Sequence, residues 1–404
     1  MKKLKSLIKP SIILLGLFLL IVQSCNNTVE TRFGLVVDTL ELADQALQSY
    51  IDEGKLPGIS ALILKDGEVA HQFVSGYAHI DEDRLLDEHS IYRIYSMSKP
   101  ITAAALMMLY DEGKFQLDDQ VSKYIPMFEK TTVWVDGKEV EQVQPFTIRN
   151  LLTHTAGFCY GWEKSYVDSL YSSAQSGGIW ANATLEDMMK FAASIPLKHQ
   201  PGTKYEYSIS IDVAGYLVEV LSGMPFDKFL QKRLFGLLGM DDSGFEVPET
   251  DHNRLAMIYT MDQSSGKLMA VPGMTNDVKG DVSLFSGGGG MVSTIGDYGR
   301  FGQMLLNGGE LDGVRVLQES TVHMITSDQM PAGPVFQEGL GYGLGGYVDE
   351  EKGLYGWSGM ASTDFLLDMN NNMIVLSFTQ YVPFMGVPYA DEFKKIVESA
   401  IVKE

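Results

Sequence analysis

Ser96-Met97-Ser98-Lys99 follows the mostly apolar run Ile91–Tyr95 and opens a stretch with helical periodicity. A serine hydroxyl is a poor nucleophile at neutral pH unless a neighbouring base takes its proton. A lysine three residues on lies on the same helical turn and brings its amine beside that hydroxyl. One local segment therefore supplies a nucleophile and a candidate base, which points to acyl-serine chemistry without a metal. Ser-x-x-Lys also occurs at Ser6 to Lys9, in a basic and apolar leader, and at Ser264 to Lys267, in a polar turn. Only Ser96 has an apolar run before it and helix spacing after it, at Ile101, Ala104, Ala105, Met108 and Leu109. Pro100 fits a first helical turn but not a deeper one. Ser96 is thus expected near a helix N-terminus, where free N–H groups favour developing negative charge. Lys99 precedes that proline, a position biased away from helical geometry.

The N-terminus has the pattern of an export signal: Lys2, Lys3, Lys5 and Lys9, then apolar Ile12–Val22, then Ser24-Cys25. The apolar core is short for a membrane span and suits a cleaved signal peptide over residues 1–24. Val22-Gln23-Ser24-Cys25 resembles a lipobox, in which Cys25 is lipidated and becomes the mature N-terminus. Residues 25–35 then read as a tether, and the expected location is the bacterial cell envelope, membrane-anchored through Cys25. The chain carries 52 acids against 31 bases, and cleavage would remove four lysines and no acid. So acidic a protein is a poor partner for nucleic acid. Cys159 is the only other cysteine, so a chain lipidated at Cys25 has no intramolecular disulfide and relies on its core.

The seven histidines are dispersed, with no His-Glu-x-x-His pair, and no metal or cofactor is expected. There is no Gly-x-Ser-x-Gly elbow, which counts against an α/β-hydrolase. Gly287–Gly290 is followed by Met-Val-Ser, not Lys-Ser, and reads as close backbone packing beside a strand.

Val36–Ile51 is apolar at helical spacing. Ile59–Leu64 and Val69–Val74 are strand-like runs around Asp66-Gly67, a hairpin signal. Residues 96–284 read as helix-rich, with short helices at Thr147–Leu152, ended by Gly157, and Asp212–Leu221, stopped by Gly223. Thr294 and Asp297 look like a capping pair for a helix over Tyr298–Leu306. Strands are expected at Tyr342–Val348, Thr363–Met369 and Asn372–Phe378, and a closing helix at Tyr389–Val402. The fold class is α+β: an antiparallel sheet flanked by helices, shared by residues 36–95 and 285–404, with the helical lobe inserted.

Further motifs run in order: Leu151-Leu152-Thr153-His154-Thr155-Ala156-Gly157, Pro201-Gly202-Thr203, Tyr207-Ser208, Gly288–Thr294 and Trp357-Ser358-Gly359. With Ser96–Pro100, the chain resembles the class C β-lactamase-related serine hydrolases, a fold family shared with penicillin-binding DD-peptidases and lactamase-like esterases. The resemblance implies Ser96 as nucleophile, with Lys99 and Tyr207 sharing proton transfer, and an oxyanion hole from the N–H groups of Ser96 and Met360. The family's Tyr-x-Asn is Tyr207-Ser208-Ile209 here, and its Lys-Thr-Gly is Trp357-Ser358-Gly359. Trp357, Ser358, Gly359 and Ile209 are thereby expected to meet substrate. Trp357 offers an aromatic wall where a lysine would read a carboxylate. Both departures favour neutral esters over lactams and stem peptides, and the motif forms are similar to those of lactamase-like carboxylesterases. The alternatives are a DD-peptidase, a D-amino-acid amidase or weak β-lactamase, and an acyl-serine sensor that does not turn over. Tyr160, Trp162 and Tyr166 are candidates for the pocket mouth. His154 is expected to support its loop.

Overall fold

The runs around Asp66-Gly67 form the expected hairpin, β1 (Gly58–Lys65) and β2 (Glu68–His79). Asp66 and Gly67 both take positive φ, at 55° and 82°, as a tight hairpin turn requires. Here and below the structure is a computed structural model, which describes residues 30–178, 182–384 and 386–402. The expected signal peptide, Cys25 and the first part of the tether lie outside the described residues. Among the described residues no helix is long and apolar enough to cross a membrane.

Five further segments, in chain order after the short β3 (Arg84–Leu85), complete one eight-stranded antiparallel sheet. They are β4 (Gly341–Tyr342), β5 (Tyr347–Asp349), β6 (Leu354–Ser358), β7 (Thr363–Asp368) and β8 (Met373–Phe378). The strand order is β4-β5-β6-β7-β8-β1-β2-β3, so N- and C-terminal pieces share the sheet, and β8 pairs with β1 in the centre. Six helices organise the rest: α1 (Val37–Asp52), α2 (Ser98–Asp111), α3 (Ile148–Leu152), α4 (Ser210–Ser222), α5 (Ile295–Leu306) and α6 (Tyr389–Ala400).

Side chains alternate across the sheet, and both faces are covered. Ile59, Ala61, Ile63, Val375 and Leu366 pack with α1 and α6. Leu62, Ile374, Leu376, Phe365 and Leu367 belong to the larger core with α5 and α2. Gly299 and Gly302 let α5 approach the sheet, since a Cβ there would stand 3.1 Å from Leu64 and Ile374. Two-sided burial explains why β1 and β8 read as continuous apolar runs.

Several boundaries differ from expectation. Residues 30–36 form a small hairpin with Leu35 fully buried, so the folded body begins within the expected tether. Tyr342–Val348 is not one strand but the β4–β5 hairpin; Gly345 turns it at φ 81° and brings its backbone against Lys99 of α2. β6 was not expected, because Gly356 interrupts a short run with weak strand character. Residues 259–270, placed by sequence in the helical lobe, form a hairpin whose first strand pairs with Tyr381–Val382. α5 starts at Ile295, with Thr294 accepting from the Asp297 N–H as its cap. α3 ends at Thr153, well before Gly157, and His154 takes the left-handed turn instead.

Phe365 lies 5.0 Å from Tyr298, ring to ring, with Phe301 and Tyr355 at 6.4 Å. Phe365→Ala is expected to cost about 3–5 kcal/mol through the cavity it leaves, read as a lowered urea midpoint with an unchanged m-value.

Candidate active site

α2 is buried almost throughout, and the turn before it presents Ser96. Tyr95, the preceding residue, has φ 42°, a strained conformation for a non-glycine residue. Lys99 is completely buried; its Nζ lies 3.2 Å from Ser96 Oγ and 2.5 Å from the Gly288 carbonyl oxygen. Nζ also stands 4.5 Å from the Tyr207 ring and 5.5 Å from that of Tyr160. Tyr207 lies just before α4 and reaches Ser96 from the other side, Oη to Oγ 2.7 Å. Ser96 and Lys99, from one turn of the chain, and Tyr207, 111 residues beyond Ser96, thus meet at one point.

The third motif closes the ring. Trp357, on β6, directs its indole N–H at Tyr207 Oη, 3.4 Å away, besides walling the cavity. That donor was not foreseen. Gly359 is required sterically, because a Cβ would lie 2.2 Å from Thr363 Oγ1 and 2.4 Å from the Ile94 carbonyl. The strand end is thereby held against the segment that leads into Ser96, and Met360 follows at the cavity wall with no hydrogen bond from its N–H to a described atom. Ser358 turns its hydroxyl to Asp364, at 2.7 Å, which Lys394 in turn neutralises at 3.0 Å. Ile209 is buried at 1 % exposure and does not line the cavity, so it makes no wall for substrate. Tyr166 stacks on Trp134 and is not part of the mouth, whereas Tyr160 and Trp162 stack on each other at 4.6 Å within it.

Asp212, in the first turn of α4, was missed as a site residue. Its carboxylate accepts from the Gly288 N–H at 3.0 Å and Ser286 Oγ at 2.5 Å, while the Gly288 carbonyl holds Lys99. The backbone of one residue, Gly288, thus joins a buried acid to the Lys99 nitrogen. Burial pushes the Asp212 carboxyl up, opposed by those two hydrogen bonds and by Lys99. The sequence signal was only an acid opening an apolar helix. The glycine run makes the arrangement fit, since a Cβ at Gly288 would lie 2.6 Å from Asp212 Oδ2.

The cavity above Ser96 measures about 1020 Å³, and its walls include Tyr160, Trp162, Tyr207, Phe336, Trp357 and Phe384. A hydroxyl shared by a lysine amine and a tyrosine, at the floor of such a cavity, can attack a carbonyl and pass its proton to either partner.

The family model described as Beta-lactamase matches residues 43–396. The chain belongs to that family. It is similar to the protein Rv1367c of Mycobacterium tuberculosis (strain ATCC 25618 / H37Rv), 31 % identical over 377 residues, which cover 85 % of this chain and 91 % of that one. It is also similar to esterase EstB of Burkholderia gladioli, 33 % identical over 218 residues, 54 % of this chain and 52 % of that one. Among solved structures, EstCE1, "a hydrolase with promiscuous acyltransferase activity", superposes with a TM-score of 0.75 at 25 % identity, over 91 % of this chain and 99 % of that one. This member of the β-lactamase family is a serine hydrolase with an α+β fold.

In this hydrolase an ionic hub stands behind Tyr207. Lys198, with its side chain 6 % exposed, contacts Glu206 at 2.6 Å, Glu163 at 2.8 Å and Asp168 at 3.0 Å. It ties the loop bearing Tyr160 and Trp162 to the residue before Tyr207. Burial pushes the Glu206 carboxyl up, but hydrogen bonds from His199 and Lys198 outweigh it and hold it down at about 2. Cys159 is buried, and burial pushes its thiol up to about 12, so it is expected to resist alkylation in the native state. Lys198→Met would leave Asp168 buried without its cation and Glu206 with only Lys204 and His199, and is expected to cost about 3–5 kcal/mol in chemical denaturation. A carboxylate held below its ordinary value stabilises fully above about 4.5 and loses that contribution as pH falls toward about 2. Glu206→Gln should therefore flatten the loss of stability between those values, measured by urea midpoints against pH.

Proposed function

We propose that the protein is an exported esterase, anchored through lipidated Cys25 in the bacterial cell envelope, that hydrolyses neutral carboxylic esters through an acyl-enzyme on Ser96. Ser96 Oγ attacks the ester carbonyl while its proton passes to the Lys99–Tyr207 pair. The tetrahedral oxyanion is received by the N–H groups of Ser96 and Met360. The C–O bond breaks, the alcohol leaves with a proton from the same pair, and the acyl group stays on Ser96. Water then attacks with the pair as base and releases the acid. General base assistance contributes typically 10²–10⁴-fold, and each oxyanion donor roughly 10²–10³-fold.

The observation that carries the ester reading is the charge of the walls. Arg93 and Lys394 are the only cations among the described lining residues; Arg93 is paired with Asp277, and Lys394 with Asp364 and Asp391. Asp281, also in the wall, has no cationic partner among the described residues. A substrate carboxylate would meet no free positive charge where Trp357 stands, and aromatic surface instead.

Three outcomes are expected. Ser96→Ala abolishes both fluorophosphonate labelling and ester hydrolysis in a folded protein. Trp357→Phe keeps the wall but loses the N–H to Tyr207, a donor worth about 1 kcal/mol, and lowers kcat about fivefold. In competition between a neutral aryl ester and a penicillin, the wild type prefers the ester, and Trp357→Lys moves the preference toward the penicillin. Faster turnover of penicillin, or of D-Ala-D-Ala peptides, by the wild type would replace the esterase reading with a lactamase or peptidase. Labelling without turnover would make the protein a sensor.

A further inference from the structure

α3 ends in a Schellman turn: the Thr155 N–H reaches the Asn150 carbonyl at 2.8 Å, and the His154 N–H reaches that of Leu151 at 3.2 Å. The residue at the left-handed position of such a turn is usually glycine. Here it is His154, at φ 54° and with no exposed surface. The conformation costs a residue with a side chain roughly 1–2 kcal/mol, and burying an imidazole adds a desolvation cost. Strain held in place by its surroundings is a pointer to function.

The placement of His154 against Tyr207 gives the strain a purpose. The Glu206 N–H donates to the His154 carbonyl oxygen at 2.8 Å. The Ser208 N–H donates to His154 Nδ1 at 3.3 Å, and Ser208 Oγ lies at the same distance from that atom. Both neighbours of Tyr207 are therefore held by one residue, through its backbone on one side and its ring on the other. The imidazole also packs 4.8 Å from the Tyr207 ring, centroid to centroid.

We propose that His154 is a positioning residue for Tyr207: a neutral imidazole in a strained turn that grips residues 206 and 208 and so fixes Tyr207 Oη on Ser96. The inference rests on the reading that Tyr207 shares proton transfer with Lys99. Accepting from the Ser208 N–H puts the ring proton on Nε2, an atom that finds no hydrogen-bond partner among the described residues. The groups around the ring are Tyr205, Tyr207 and Tyr342, with Lys99 the nearby cation. Burial, then the charge of Lys99, holds the imidazole well below its ordinary value. A protonated ring would turn an N–H against Ser208 and undo the grip, so the neutral form is the working one.

Two variants separate the side chain from the turn. His154→Asn tolerates the left-handed conformation and places Oδ1 where Nδ1 accepts. His154→Gly keeps the turn and its carbonyl but loses the acceptor. Pre-steady-state acylation by a p-nitrophenyl ester, with thermal melts of each variant, reads the effect, and Tyr207→Phe runs in parallel. The expected result is a roughly 10²-fold slower acylation in His154→Gly, with KM little changed, and most of the activity retained in His154→Asn. The pH–rate profile of His154→Asn should keep the wild-type shape. Wild-type acylation in His154→Gly beside an inactive Tyr207→Phe overturns the inference alone. Full activity in Tyr207→Phe overturns the reading beneath it. Loss of the acidic limb of the profile in His154→Asn also overturns the inference, because it makes His154 a proton carrier. Should His154→Gly not fold, a folded His154→Asn with acylation as slow as that expected of His154→Gly overturns it too.

Discussion

The site is organised around the burial of one lysine nitrogen. Lys99 has no exposed surface, and an isolated charge in such a place is strongly disfavoured unless it is compensated. Compensation comes from four directions: the Gly288 carbonyl, Ser96 Oγ, the faces of Tyr207 and Tyr160, and the Asp212 carboxylate on the other side of the Gly288 backbone. Apart from Ser96, these partners come from three distant segments, around residues 160, 207–212 and 288. The Ser96 hydroxyl and the Tyr207 ring are among the groups that hold this nitrogen, so structural and chemical demands coincide at Ser96.

The fold supplies rigid ends for these partners. α2 is enclosed in the larger core, and the end of β6 reaches the same point through Trp357 and the Gly359 that follows it. On the far side, Lys198 binds the aromatic loop to the Tyr207 segment, and His154 ties the end of α3 to the same segment. Tyr207 is therefore held from behind by an ionic hub and a strained turn, and from the front by the Trp357 indole N–H. Preorganisation of this kind is what general-base chemistry requires.

Much of this was legible in the sequence where local rules dominate. The Asp66-Gly67 turn, the two-sided apolar runs of β1 and β8, the Thr294 cap and the Ser96–Lys99 spacing each carry their own signal. The misses share a physical cause: they depend on partners distant in sequence. β6 has an interior glycine and becomes a strand only by pairing with β5 and β7. Asp212 is an ordinary helix-opening acid until the Gly288 peptide is brought to it. His154 ends a helix that its sequence assigns to Gly157, because contacts to residues 206 and 208 outweigh a local preference for glycine. Ile209, read from its motif position as a substrate contact, is drawn into the core as the cap of α4.

The central claim is that Ser96 is the atom that carries the acyl group. Trapping the enzyme with a slowly released aryl ester at low pH, then peptide mapping by mass spectrometry, tests it most directly. The account predicts a single acyl increment, on the peptide containing Ser96, absent in Ser96→Ala and slow to form in Lys99→Ala and Tyr207→Phe. An increment on another serine, Ser208 or Ser358 included, or steady turnover with no acylated peptide and an active Ser96→Ala, would contradict it.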